Sequence, residues 1–395
     1  MASSLFNGFY ASMLSTFHLL YIVILGILAK KLKMVDGNFQ KGLSKIVTNI
    51  ILPCFIFALI VNNFRISEYQ IIFQAMIGCC FLFFFGLVIG WVIAKLLGAK
   101  TGQARFLAAV FSTPHTTSMP VILIQVVGPV LDAIIPSRLA AMGNSEKRGL
   151  LYIVMNSVFS NIWRWSGAYY LIQPEDFFDD YEPDPKTEAL IKDSTRKRNF
   201  KERGISDFFR SIINTPLVAS IFSLCFTLSP SLQTYFTTPG ELLHESLISV
   251  NMMVAKSYGF IVMFLLGLSF SDSIKIGEDE EEEEQKKNFL TAWDLFWLSI
   301  VKLIVMPLLA CPLILYIFRT ILQADDVMVF IYLFMASAPS AINIIVICSY
   351  KDCYVEEVSL LMIIMYAACI ITLTLQVTFF IYILGSPNSS TVPPV

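Results

Sequence analysis

Ten stretches of this sequence are each apolar over about 20 residues, and this feature limits the fold more than any other. A helix of that length crosses the hydrocarbon layer of a bilayer, where backbone groups find hydrogen-bond partners only within the helix itself. We therefore predict ten transmembrane helices. They correspond to residues 10–29, 43–62, 71–94, 106–127, 150–171, 212–228, 248–270, 293–318, 327–348 and 358–384.

The composition agrees with a lipid environment. Only 15% of the residues are charged and the mean hydropathy is +0.69, whereas a soluble domain carries about 25% charged residues. The net charge of −2 gives no reason to expect a nucleic-acid partner. The lipid bilayer is thus the predicted surrounding of most of the chain.

Lys and Arg are distributed unevenly between the connections of the predicted helices. Alternate connections hold 20 of the 28 basic residues, and basic residues accumulate on the cytosolic side of membrane proteins. Both chain ends are therefore predicted to be extracytosolic, and an even number of helices agrees with both ends lying on one side.

The ten predicted helices fall into two halves. Residues 1–171 form the first five-helix half, residues 172–211 a hydrophilic cytosolic linker, and residues 212–385 the second half, with an acidic loop at 271–291. A loose tail follows at 386–395. Because five is odd, the second half enters the membrane in the opposite direction. The predicted fold class is an all-α membrane protein with two inverted five-helix repeats.

The fourth and ninth stretches contain helix-breaking residues at corresponding places. Pro120 and Pro339 lie mid-stretch among small and hydroxyl residues. Proline removes a helical hydrogen bond, and lipid tolerates the freed backbone groups only where they line a cavity. The positive ends of half-helices also attract anions. The alternative is an ordinary proline kink packed by Ser and Thr.

These two breaks supply the candidate substrate-binding residues. The side-chain amide of Asn343 could hydrogen-bond a substrate carboxylate, or it could only satisfy backbone groups that the break leaves without partners. His115 could bind substrate, couple transport to pH, or be a satisfied interior histidine. The hydroxyl groups of Thr116 and Ser118 could contact substrate or cap the half-helices. The candidates are His115, Thr116, Thr117, Ser118, Pro120, Pro339, Ser340 and Asn343.

Three basic residues fall within the predicted helices, where a charge is costly and therefore suggests function. Lys302 lies well inside the eighth stretch and is the candidate counter-charge for an anion. Arg164, between Trp163 and Trp165, is interpreted as an interfacial residue beside aromatic rings. Lys256 is close enough to its helix start to reach the interface.

Several classes of site and activity lack their sequence signals. The eight cysteines form no CxxC pair and have no clustered His or acidic partners, so we predict neither a metal nor a cofactor. HExxH, GxSxG and Walker-type motifs are absent, which argues against an enzyme or an ATP-driven pump. A secondary carrier is the leading hypothesis, and a membrane sensor or scaffold without net transport is the alternative.

Motifs in the same order along the chain resemble the PIN-LIKES family, within the auxin efflux carrier group. The segment 339–343, Pro-Ser-Ala-Ile-Asn, is similar to the family's Pro-Pro-Ala-Met-Asn, and 115–120 partly matches Asn-Thr-Gly-Asn-Leu-Pro. Weaker matches occur at 52–57, 145–149 and 214–216, and at Lys302 with Pro307.

This resemblance implies an elevator-type carrier in the endoplasmic reticulum membrane. Helices four and nine would cross near the bilayer midplane and hold the carboxylate of an indole-acetate-like anion, and a second copy of the chain is a candidate partner. Two departures bear on the substrate. His115 and Ser118 replace the two fourth-helix asparagines, and residues 257–262 lack the family's seventh-helix proline.

Overall fold

The computed structural model describes residues 2–63, 69–134, 144–173, 215–279, 290–351 and 353–385. Regular structure in these ranges is helical, with one isolated β-bridge and no strand. In the first half the helices are α1 (Ala2–Lys31), α2 (Gly37–Ile46, π-helical Val47–Ile51 and Leu52–Asn63), α3 (Tyr69–Leu96), α4 (Thr101–Ser112), α5 (Ser118–Ile134) and α6 (Ser145–Trp163, π-helical Arg164–Ala168 and Tyr169–Leu171).

The second half continues this numbering. Its helices are α7 (Thr215–Thr227), α8 (Pro230–Thr237), α9 (π-helical His244–Ile248 and Ser249–Lys256), α10 (Tyr258–Asp279), α11 (Ala292–Ile300, π-helical Val301–Val305, Met306–Ile314 and π-helical Leu315–Ile321), α12 (Asp326–Ser337), α13 (Asn343–Lys351) and α14 (Val355–Gly385).

Five of the predicted transmembrane stretches coincide with helices that are long and apolar enough to cross a membrane. Four are straight enough to count singly: Gly42–Asn62, Tyr69–Leu96, His244–Leu268 and Ala292–Ile321. The fifth, α14, bends by 49° between Glu357–Cys369 and Ile371–Gly385. The prediction of an all-α integral membrane protein is thereby confirmed, while the ten-helix inverted repeat stays a prediction. Residues 174–211 of the predicted linker, residues 280–289 of the predicted acidic loop and the whole tail lie outside the described residues.

The fourth and ninth stretches are each divided into two helices, as predicted. The first break, 113–117, separates α4 from α5, and the second, 338–342, separates α12 from α13. The residue before each break's proline leaves the helical region, with ψ of 76° at Thr113 and 147° at Ala338. The cause is Pro114 in one and Pro339 in the other, because a proline ring disfavours helical backbone in the preceding residue.

The two breaks are hydrogen-bonded to one another. His115 N–H donates to the Pro339 carbonyl over 2.9 Å, and Ala341 N–H donates to the Thr113 carbonyl over 2.8 Å. These bonds surround an antiparallel bridge between Pro114 and Ser340. Backbone groups that each break leaves without a helical partner therefore satisfy one another, as a buried backbone requires.

A close helix crossing holds the end of α4 in place. A Cβ atom added at Gly86 of α3 would lie only 2.4 Å from the Phe111 carbonyl oxygen, and one at Gly90 would lie 2.7 Å from Ala108 Cα. Only glycine permits backbones to approach this closely. The position of the first break therefore depends on α3.

The helices associate in two groups. In group A, α1 packs on α10, and α2 packs on α7 and α9. In group B, α3 packs on α4 and α6, while α11 packs on α12 and α14. Both breaks belong to group B. The groups meet where α1 and α10 contact α5 and α14, and where α2 contacts α6.

A buried ion pair joins the two halves within group B. Arg148 on α6 is 1% exposed, and its Nη1 lies 2.8 Å from both carboxylate oxygens of Asp325, which precedes α12. Tyr152 donates a further hydrogen bond to Asp325 over 2.9 Å. Arg148 is thus a buried cation with a carboxylate partner.

Candidate functional site

A cavity lies beside the paired breaks, at the contact between the two helix groups. It is lined by both breaks, by α6 of group B, and by α2 and α10 of group A. The lining residues are Leu52, His115, Thr116, Thr117, Asn161, Arg164, Tyr258, Val262, Ala341, Ile342 and Asn343.

The cavity is narrow in this conformation. Its volume is about 30 Å³, and one water needs about 10–15 Å³ by the same measure. This volume is far below the about 300–1,000 Å³ of pockets that hold organic ligands. Water therefore fits as the site stands, whereas an organic ligand requires the walls to separate.

Four of the predicted site residues line this cavity. They are His115, Thr116 and Thr117 in the first break and Asn343 at the start of α13. The Thr117 hydroxyl lies 3.2 Å from that of Ser157, which ties the break to α6. The Asn343 amide makes no hydrogen bond within the described part of the chain, so it is available to a ligand.

Ser340, Pro339 and Pro120 are not among the described residues that line the cavity. The Ser340 hydroxyl donates to the Val110 carbonyl over 2.8 Å, and the Pro339 carbonyl accepts the His115 bond, so both hold the breaks together. Pro120 lies buried in the first turn of α5. Ser118 begins α5, and its side chain lies outside the described atoms.

Arg164 lines the cavity, although the sequence suggested an interfacial position for it. It is 4% exposed and begins the π-helical turn Arg164–Ala168. Its Nη1 donates to Asn161 Oδ1 over 2.9 Å, and its Nη2 donates to Thr116 Oγ1 over 3.2 Å. The guanidinium therefore connects α6 to the first break.

No carboxylate pairs with Arg164 among the residues that the structure describes. The ionisable groups that interact with it there are Tyr258, Cys79, Tyr366 and His115. Its buried Nε has no hydrogen-bond partner in that part of the chain, a feature that it shares with Arg148 Nε. The lack of a carboxylate therefore distinguishes Arg164 from Arg148, whose charge meets that of Asp325.

Lys302 is fully buried but does not line the cavity. Its Nζ donates to the Phe111 carbonyl over 2.9 Å and lies 3.5 Å from Met306 Sδ. Phe111 is in the last turn of α4, where a cation is favourable to the helix dipole. The counter-charge role of Lys302 stays a prediction, and the observed contact is with the end of α4.

Group A contributes the apolar wall of the cavity. Leu52 comes from α2, while Tyr258 and Val262 come from α10. The Tyr258 ring stacks on Phe55 with ring centroids 4.7 Å apart. The site thus has a polar side built on the breaks and α6, and an aromatic and aliphatic side built on the other helix group.

A family model described as membrane transport protein matches residues 11–377. The chain belongs to this family. It is therefore a membrane transporter, since members of the family are transporters and not enzymes. A search of curated proteins found no match.

Sequence reasoning undervalued two polar residues of this membrane transport protein's cavity. Asn161 and Arg164 are three residues apart, so they share a face of α6. That spacing was visible in the sequence, but the tryptophans on either side of Arg164 favoured an interfacial interpretation. Tyr258 had no comparable signal.

Proposed function

We propose that this chain is a secondary, elevator-type transporter or facilitated carrier of a small amphipathic organic anion, with an auxin-like carboxylate such as indole-3-acetate as the model substrate. The observation that carries the proposal is the position of the cavity. It lies where two separately broken helices meet, and both breaks contribute lining residues.

The polar side of the cavity suits an anion. Thr117 and Asn343, both cavity-lining, lie at the N-terminal ends of α5 and α13. Helix N-termini carry partial positive charge, and half-helix ends of this kind bind anionic substrates in transporters. The Asn343 amide adds hydrogen-bond donors on the same side.

The opposite side suits an apolar ring or chain. Leu52, Tyr258 and Val262 offer no charge, and Tyr258 offers a flat aromatic face. A ligand with a carboxylate on one end and an apolar body on the other would contact both sides at once. These features support an amphipathic anion over an inorganic one.

The division into two helix groups supports an elevator-type movement. The breaks and Arg164 belong to group B, whereas the apolar wall belongs to group A. Movement of group B relative to group A would open the narrow cavity and carry the ligand past the fixed wall. Alternating access in transporters proceeds by such movement of one bundle against another.

The proposal includes the membrane arrangement that the sequence predicts. Ten transmembrane helices in two inverted repeats would place both chain ends on the lumenal side of the endoplasmic reticulum membrane. A homodimer is part of the same proposal.

Counterflow in proteoliposomes tests the function. Proteoliposomes that contain the purified protein are loaded with unlabelled indole-3-acetate. They are expected to exchange it for labelled indole-3-acetate in the outside medium. Asn343→Ala should lower the exchange rate by about tenfold or more, because a buried ligand carboxylate would lose a hydrogen bond. Asn49→Ala, at an exposed position on α2 outside the cavity, is the matched control and should leave exchange unchanged.

Two results would contradict the proposal in different ways. Unchanged exchange by Asn343→Ala would remove this residue from the binding site. Binding of indole-3-acetate by the wild-type protein without any exchange would instead favour a sensor or scaffold.

A further inference from the structure

We propose that Arg164 is the anion-binding centre of the cavity and that its guanidinium takes the carboxylate of a monoanionic ligand. The inference deepens the proposed function and rests on it for the transport readout, since it names the residue that holds the anion and supplies its counter-charge. It places this role on α6 rather than on Lys302 of α11.

The charge of the Arg164 guanidinium is not balanced by a carboxylate among the described residues. Arg164 is 4% exposed, and an arginine remains charged in any protein environment. A buried cation without a partner is strongly destabilising, so buried charges are almost always paired. Within the described residues, Arg164 has hydrogen bonds only to the neutral oxygens of Asn161 and Thr116. A bound anion would supply the missing charge.

Arg148 shows how a buried arginine is arranged when the chain itself supplies the carboxylate that pairs with it. Both arginines are on α6 and both are less than 5% exposed. Arg148 is paired with the carboxylate of Asp325 and is not among the residues that line the cavity, whereas Arg164 lines it. The comparison assigns the structural role to Arg148 and leaves the ligand role to Arg164.

The donors of Arg164 are only partly used. A guanidinium has five N–H donors in a fixed planar fork, and the described hydrogen bonds of Arg164 engage two of them. Asn161 and Thr116 hold the fork from two sides, which fixes its orientation before a ligand arrives. A planar fork with free donors matches the two oxygens of a carboxylate.

The surroundings favour one negative charge over two. Arg164 is the one Lys or Arg among the described residues that line the cavity. Lys302 is engaged at the end of α4 and adds no charge to the lining. A monoanion neutralises Arg164, whereas a dianion would leave one negative charge buried and unpaired, at a high desolvation cost.

The local backbone also supports a ligand role. Arg164 begins a π-helical turn, and such turns inside α-helices occur frequently at functional sites. Within this turn the Trp163 ring covers Gly167, since a Cβ added there would lie 2.5 Å from the ring.

Ligand binding to the purified full-length protein tests this inference independently of transport. The probes are indole-3-acetate, its neutral analogue indole-3-acetamide, indole-3-propane-sulfonate and an indole phosphate ester, with binding measured by thermal stabilisation and calorimetry. The wild type should bind indole-3-acetate at least about tenfold more tightly than the amide, because only the acid pairs with the buried charge. The sulfonate and phosphate show whether the centre selects carboxylates or any anion.

Two variants and one control then locate the centre. Arg164→Gln should remove the preference for acid over amide while binding of the amide persists. Arg164→Lys, which keeps the charge but not the fork, should retain part of the preference. Lys95→Gln removes one positive charge at an exposed place on α3 outside the cavity and should change nothing.

The outcomes separate this inference from the transport proposal. An acid preference that Arg164→Gln abolishes, in a protein that shows no counterflow, supports the anion centre and contradicts transport. Intact counterflow and an intact acid preference in Arg164→Gln contradict the anion centre and leave transport standing. Failure of the wild type to bind any of the anions at millimolar concentration, or tighter binding of the phosphate dianion than of the carboxylate, overturns the inference.

Discussion

The backbone N–H of His115 donates a 2.9 Å hydrogen bond to the carbonyl of Pro339. This contact and its counterpart from Ala341 to Thr113 join two helix breaks that lie far apart in the chain. The breaks therefore form one structural unit, and a change in either is expected to affect the cavity that both of them line.

Pro339→Ala is expected to impair transport without unfolding the protein. Without the proline ring, Ala338 can return to helical backbone and α12 can extend into the break. The backbone pair with His115 would then shift, and exchange should fall by about tenfold or more, since small displacements at a positioned site have effects of that size. Counterflow measures the effect.

Pro312→Ala is the matched control for that experiment. Pro312 is an exposed proline inside α11, outside the breaks, and its replacement should leave exchange unchanged. Equal exchange rates in Pro339→Ala and the wild type would show that the break does not depend on this proline.

Lys302→Met is expected to lower stability and leave anion affinity unchanged. The substitution removes the Nζ hydrogen bond to the buried Phe111 carbonyl, and an unsatisfied buried group costs about 1–3 kcal/mol. Thermal unfolding in detergent measures the loss, with Lys256→Met at an exposed position as the control. Loss of anion affinity at unchanged stability would instead support Lys302 as the counter-charge.

The ion pair of Arg148 and Asp325 is expected to show strong coupling in a double-mutant cycle. Arg148→Met or Asp325→Leu alone leaves one buried charge without its partner and should cost about 3–5 kcal/mol of unfolding free energy. The double variant should be more stable than the sum of the two losses predicts. Additive losses measured by denaturant unfolding would show that the pair contributes no interaction energy.

Local sequence pattern was sufficient for five of the predicted membrane-spanning helices and for both helix breaks. Apolar length located those helices because lipid leaves the backbone no alternative, and proline with small polar residues located both breaks. His115, Thr116 and Thr117 line the cavity because they lie inside the first break, and Asn343 lines it because it directly follows the second.

The same pattern did not identify which proline makes the first break. Pro114 and Pro120 are both in the fourth stretch, and the sequence analysis singled out Pro120. The helix ends before Pro114, and Pro120 then falls in the first turn of α5, where a missing N–H is tolerated. Ser340 was likewise assigned to substrate, but its hydroxyl binds the Val110 carbonyl of the other break.

Two of the buried cations show where sequence reasoning ends. Arg164 and Lys302 are both basic residues inside apolar helices, so hydropathy treats them alike. Lys302 is directed at the end of α4, and Arg164 lies between Asn161 and Thr116 beside the cavity. Their difference depends on which helices pack beside them.

The sequence by itself determined that this protein is a helical membrane protein with two broken helices, because helix length and proline act within a few residues and in lipid have few outcomes. Only the tertiary structure decided that the breaks bind each other, that the cavity lies between two helix groups, and that Arg164 lacks a carboxylate among the described residues. These features depend on contacts between distant segments, and no local pattern encodes such contacts.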